Sequence, residues 1–305
     1  MTAIAKYTNI YTLLVAALGF VVFQSCEKEI TVDLPQPDPK VVVEGYIFQG
    51  SRPYVLLSRN SGYFAPIDSA TLANSIIYDA IVVVSDGTNT DTLTFQPANE
   101  SPVKYGYVKQ NPGVIGQAGK TYTLLVIANG DTVTSTTTII ASPPIDSLEW
   151  KVAGVDNDSL GLIWIYFRDQ GIDERGYRLM SKRTSSIPGR NDRIFRPNTL
   201  LFNQNFYGQN YYFGVGRPDK FGEGLSADKY DQADKKRYRL GDTVKVRLCS
   251  IDLPAYYFLN SVKKSMDASD SPFGAPNNVQ SNVTNGLGCW IGYGVSEQKI
   301  VCFPE

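Results

Sequence analysis

Apolar and polar residues alternate with a period of two along most of this chain. Val41-Val42-Val43-Glu44-Gly45-Tyr46-Ile47 and Tyr54-Val55-Leu56-Leu57-Ser58 predict two opening strands. Ile81–Ser85 runs through Asp86-Gly87 into Thr90–Phe95, and Tyr122–Ala128 runs through Asn129-Gly130 into Thr132–Ile140. Asp-Gly and Asn-Gly between β-rich runs signal hairpins, because they tolerate the positive φ angles of a tight turn. One helical turn is expected near Ala70–Asn74. Strands at this spacing predict an immunoglobulin-like β-sandwich over residues 40–142.

Ser142-Pro143-Pro144 reads as a boundary. Beyond it, Ser147–Val152, Leu160–Phe167, Tyr177–Arg183, Tyr211–Val215 and Thr243–Ile251 are strand-like. Ala255, Leu259, Val262 and Met266 then recur at helical spacing, which predicts a helix over 254–267. Asp252 and Pro254 supply its start signals, and Lys263 and Lys264 suit its C-terminal dipole. Gly288–Phe303 reads as a closing hairpin that turns near Val295-Ser296. The fold class is therefore mostly β: the sandwich, then a second β-rich domain over 145–305, a sandwich or incomplete barrel with one helix.

The N-terminus has a different pattern. The apolar run Ile10–Phe23 falls short of the ~20 residues a spanning helix needs, and fits a signal-peptide core. Ser25-Cys26 at its end has the form of a lipobox, so residues 1–25 read as a lipoprotein signal peptide and Cys26 as the lipid attachment. Stable anchoring takes more than one acyl chain. Residues 26–39 form a Pro-rich tether of semi-rigid extended backbone. Glu27 and Glu29 resemble a surface-export signal, or else simply begin the solvated tether, which leaves both leaflets of the outer membrane open.

Composition narrows the chemistry. About 280 residues follow the signal, more than one ordinary domain. The net charge of −1, with scattered Lys and Arg, excludes a nucleic-acid footprint. The absence of histidine removes imidazole bases, Ser-His-Asp triads and most zinc sites. No catalytic residues, metal site or cofactor are read from the chain. Asp156-Asn157-Asp158 and Asp169–Glu174 lack EF-hand spacing and read as turns. An exported chain permits disulfides. If the closing hairpin forms, Cys289 and Cys302 face each other, and a disulfide competes with two buried thiols. Cys249 reads as a half-exposed thiol, on the face opposite Val244, Val246 and Leu248.

Two segments are candidate ligand or partner surfaces. The first holds Arg183, Arg190, Arg193, Arg196 and Arg217 beside Phe202, Phe206, Tyr207, Tyr211, Tyr212 and Phe213. Arginines interleaved with aromatics can stack on sugars or peptides, and the plain alternative is a solvated loop beside ordinary strands. The second is the Pro- and Asn-rich stretch 266–285, with Phe273, Asn277 and Asn282, read as a ligand surface or as a cover over a sheet edge.

Cys26–Tyr46, Tyr63-Phe64-Ala65-Pro66-Ile67-Asp68, and the Pro272–Gly288 loop with Gly292-Tyr293 together resemble the Bacteroidota lipoprotein family catalogued as domain of unknown function 4249. The Pro-Phe…Asn…Asn…Gly-Leu-Gly loop is the most specific part. The resemblance offers no catalytic residues. It implies a TonB-dependent outer-membrane receptor as partner, with the bilayer held through acylated Cys26. The expected function is a non-enzymatic accessory subunit that captures a glycan or peptide. The alternatives are an adhesin or envelope scaffold, and a carboxylate-dependent glycan hydrolase.

Overall fold

The alternation becomes strands nearly wherever the sequence predicts them. The structure, a computed structural model, describes residues 38–60, 69–98, 104–109, 113–153, 159–185, 191–218, 236–269 and 278–303. The first run of strands is β1 (Val41–Phe48), β2 (Tyr54–Arg59), β3 (Ile81–Ser85), β4 (Thr90–Pro97), β5 (Tyr105–Val108), β6 (Thr121–Ala128) and β7 (Asp131–Thr138). A short helix, α1 (Ser69–Ser75), lies between β2 and β3. Both predicted hairpins form. β6 and β7 meet at the pair Ala128 and Asp131, across Asn129 at φ 53° and Gly130 at φ 89°. Positive φ at both central residues is what a two-residue turn needs to match strand twist.

The later strands are β8 (Ile145–Val152), β9 (Leu160–Arg168), β10 (Gly176–Thr184), β11 (Arg196–Phe202), β12 (Asn210–Val215), β13 (Tyr238–Arg239), β14 (Thr243–Ile251), β15 (Val283–Thr284) and β16 (Leu287–Val301). The predicted helix is α2 (Leu253–Ser269). Asp252 caps it by accepting the Ala255 N–H at 3.0 Å. That side chain satisfies one of the amides left open at a helix start. Its other oxygen accepts from Thr137 Oγ1 at 2.9 Å and the Thr138 N–H at 3.1 Å, tying the helix to β7.

The fold is mostly β, with two sheets and no closed barrel among the described residues. One sheet has twelve strands in the order β11-β10-β14-β16-β1-β2-β5-β4-β3-β6-β7-β15. The other has four: β12-β9-β13, with β8 also paired to β9. Val43, Leu57, Val84, Leu124, Val133 and Trp290 share one core, so the large sheet folds back on itself around them. Ile163, Phe167, Tyr177, Val246 and Leu248 form a second core between the small sheet and the β10–β14 part of the large one. On the other face of β10, β14 and β16, α2 packs Ala255, Phe258 and Leu259 over Met180, Cys249 and Ile291.

The expected boundary at Ser142-Pro143-Pro144 does not separate two sheets. β16, from the far end of the chain, lies parallel to β1 from Leu287 to Tyr293 and antiparallel to β14 from Gly294 to Val301. One strand thus belongs to the core of both expected regions, and residues 39–305 form one compact unit.

The predicted closing hairpin is corrected by the same strand. Val295 and Ser296 are ladder positions opposite Cys249 and Leu248. β14 continues the pairing straight through them. Cys289 and Cys302 therefore lie near opposite ends of one extended run. Roughly 40 Å of strand separates them at ~3.3 Å per residue, against the ~7 Å Cα limit for a disulfide. Both are free and buried, in different cores. Cys249 is also fully buried rather than half-exposed, because α2 covers the face that alternation alone assigns to solvent.

Candidate functional site

A groove of about 940 Å³ opens on the face of the large sheet where β1, β2 and β16 meet β10, β14 and α2. Strand register builds its aromatic floor. Tyr46 stands opposite Tyr54, and the rings stack at 4.9 Å. Phe48 stands opposite Tyr293, and those rings stack at 4.6 Å. Tyr46 meets Phe48 edge-on at 5.3 Å and joins the two pairs. These contacts follow the pleat: Val43 and Ile47 of β1 point into the core, so Glu44, Tyr46 and Phe48 point the other way.

Cations edge this floor. Arg52, Lys109, Arg178, Lys182, Arg193 and Arg247 line the groove, against one carboxylate among the described lining residues, Glu44. Two of them are held by acids. Arg247 Nε donates to Glu297 at 2.7 Å, and its guanidinium lies 3.6 Å above the Phe195 ring. Lys109 pairs with Asp91 at 2.5 Å. Arg178 and Lys182 meet no carboxylate among the described residues. The buried Nε of Arg178 finds no hydrogen-bond partner there.

Glu44 stands beside Cys289 in register. Water reaches its carboxylate, yet protein closes in on several sides, and this partial desolvation raises its pKa above the ordinary carboxylate value. Burial, with Glu44 adding its negative field, pushes the Cys289 thiol up to about 12. A thiol held protonated is a poor nucleophile, so Cys289 is part of the floor rather than a reactive centre.

The residues singled out in the sequence scatter. Arg193 and Cys289 line the groove. Phe206 and Tyr211 stack at 4.0 Å, Phe206 within the second core and Tyr211 packed against it. Tyr207 is exposed away from the groove, and Tyr212 is exposed on the small sheet, stacked on Tyr166 at 5.6 Å. Asn282 is a structural clamp on the Trp290 backbone. Cys302 is buried in the second core. Cys26, Arg190, Phe273 and Asn277 lie outside the described residues, as does the turn Asp156-Asn157-Asp158.

The Arg-rich segment is largely internal. Arg183, Arg196 and Arg217 are buried, and Asp192 holds them together: its carboxylate accepts the Arg183 N–H at 2.8 Å and lies 3.4 Å from Arg196 Nε and 3.6 Å from Arg217 Nη2. Asp169, in the second candidate calcium segment, is an acceptor for the turn around it. It takes N–H groups from Gly171 at 2.9 Å and Gly208 at 2.8 Å, and the Tyr177 hydroxyl at 2.5 Å. Among the described residues no cluster of acidic or thiol groups is arranged to hold a metal, and no helix is long and apolar enough to cross a membrane.

Fold and groove define a β-rich protein with a concave aromatic and cationic face. The chain belongs to the family described as Domain of unknown function (DUF4249), whose model matches residues 27–299. That span includes every groove residue named above. No curated protein matches the chain.

Proposed function

We propose that this chain is a non-enzymatic, surface-anchored lipoprotein whose groove captures a small ligand for a TonB-dependent outer-membrane receptor. The observation that carries the capture reading is the groove itself. Its volume suits a small molecule, and its floor is built on paired strands, which hold a binding face rigid. Glycoside hydrolysis takes two carboxyl groups roughly 5–9.5 Å apart. Glu44 stands alone among the described lining residues, which favours binding over hydrolysis. The lipobox ending in Cys26 and the Pro-rich stretch 26–39 support a tethered module that reaches out from a membrane.

The test is a pull-down from solubilised outer membranes with the full chain as bait. Recovery of a TonB-dependent receptor, lost when Cys26→Ser removes the anchor in cells, is the expected result. Recovery of no such receptor overturns the proposed partnership.

A further inference from the structure

We infer that the groove takes an acidic sugar, with a pyranose ring laid on the aromatic floor of Tyr46 and Phe48 and its carboxylate held by Arg178, in the positive field of Lys182. This rests on the ligand-capture reading above and gives the ligand a chemical class.

Charge sets the first half of that class. Lys109 and Arg247 already have Asp91 and Glu297 as counter-ions. Arg178 and Lys182 have none among the described residues, and both line the groove. Arg178 sits opposite Cys249 in register, near enough to Cys249, Cys289 and Tyr293 to act on all three electrostatically. An arginine beside such an apolar floor gains most from a planar carboxylate, which accepts two parallel N–H bonds. Lys182 adds a second positive charge four residues along the same strand, over the Phe195 ring at 6.0 Å.

The floor sets the second half. An extended peptide on a sheet draws affinity from main-chain hydrogen bonds at an exposed edge. The strands at the centre of the groove offer no such edge. β1 is paired on one side by β2 and on the other by β16, and β10 is paired by β11 and β14. Recognition on β1 and β10 therefore comes from side chains: the faces of Tyr46 and Phe48, the hydroxyls, and the cations. The C–H faces of a sugar ring stack on aromatic rings, while its hydroxyls and carboxylate meet polar groups around the edge. Glu44 then serves as an acceptor for a sugar hydroxyl.

Calorimetry with the full chain in detergent tests this with four probes: tetragalacturonic acid, its methyl ester, a sialylated trisaccharide and tetraglutamate. Binding of an acidic sugar, at least tenfold weaker for the methyl ester and at least tenfold weaker in Arg178→Met, is the expected result. Circular dichroism and the melting temperature of Arg178→Met should match those of the wild type. The ester comparison uses the unmodified protein and stands even if the variant fails to fold. Equal affinity for acid and ester overturns the charge assignment and leaves ligand capture standing. Binding of tetraglutamate without either acidic sugar overturns the sugar assignment. No binding by any probe overturns the inference, and if the pull-down also recovers no receptor the capture reading falls with it.

Discussion

Asn282 and Trp290 clamp each other: the Asn282 Nδ2 donates to the Trp290 carbonyl at 2.8 Å, and the Trp290 N–H donates to Asn282 Oδ1 at 2.9 Å. β14 joins β16 only from Gly294 onward. At Trp290, one asparagine amide therefore stands in for the missing neighbour strand. The Trp290 indole is fully buried and donates to the Tyr122 carbonyl at 3.1 Å, so the clamp fixes the centre of the first core.

Asn282→Ala leaves a buried amide and a buried carbonyl without partners. Each unsatisfied group costs about 1–3 kcal/mol. We expect a lower denaturant midpoint with an unchanged slope, followed by tryptophan fluorescence. A shift below 0.5 kcal/mol would mean that water replaces the clamp.

Asp252→Ala removes both the α2 cap and the link to Thr137 and Thr138. Loss of an N-cap alone costs about 1 kcal/mol, and loss of the tie to β7 adds to it. Asp252→Asn, which keeps an acceptor oxygen, should lose less. Urea titration of both variants checks the order, and equal losses would contradict the two-sided role.

The three described thiols should resist labelling. Cys249, Cys289 and Cys302 are each pushed up to about 12 by burial, from an ordinary value of 9.0. Native protein at pH 8 should leave all three unmodified by an aromatic disulfide reagent, while denatured protein should react fully. Intact mass should not change on reduction. A two-dalton gain would restore the disulfide.

The same shifts predict alkaline unfolding. A folded pKa raised above the unfolded one stabilises fully below the unfolded value and is lost as pH rises through the folded one. Stability should therefore fall from about pH 9 towards pH 12, by about 1.4 kcal/mol per pH unit for each thiol that stays protonated only when folded. Urea midpoints between pH 8 and 11 measure the slope. Cys249→Ala should reduce it, and an unchanged slope would assign the effect elsewhere.

Glu44 has the acidic counterpart of this behaviour. Its raised pKa means that the charged form is disfavoured in the fold, so its contribution is most favourable below the ordinary value of 4.5 and is lost as pH rises through the raised value. Glu44→Gln should raise the melting temperature at pH 7, and the gain should vanish below pH 4. A variant less stable at pH 7 would mean that the carboxylate has a stabilising partner.

Much of the fold was legible in local pattern. β3 and β14 match their predicted bounds, α2 extends its predicted range by a residue or two at each end, and both hairpin turns sit on their Gly dipeptides. The Gly-Leu-Gly motif also has a physical meaning. Gly288 has φ 98°, and a Cβ there would run into the Val43 carbonyl where β16 lies against β1. The groove was partly visible too. The outward positions of β1 carry Tyr46 and Phe48 where a solvated face would carry polar residues, and β10 alternates Arg178, Met180 and Lys182 on one side. The Arg-rich segment carries the louder local signal, yet of its described arginines only Arg193 lines the groove, while Arg183, Arg196 and Arg217 turn inward around Asp192.

The sequence by itself determined the strands, their faces, the hairpins, the helix and its cap, because each depends on residues a few positions apart. Only the tertiary structure decided what those faces meet. Parallel pairing of β16 with β1 joins residues more than two hundred positions apart, and no local pattern encodes such a partner. That pairing turned an expected hairpin into one strand, separated Cys289 from Cys302, covered Cys249 with α2, and set Tyr293 beside Phe48 to make the groove floor. A strand's alternation says which side chains share a side; long-range pairing alone says whether that side becomes core, solvent or a binding face.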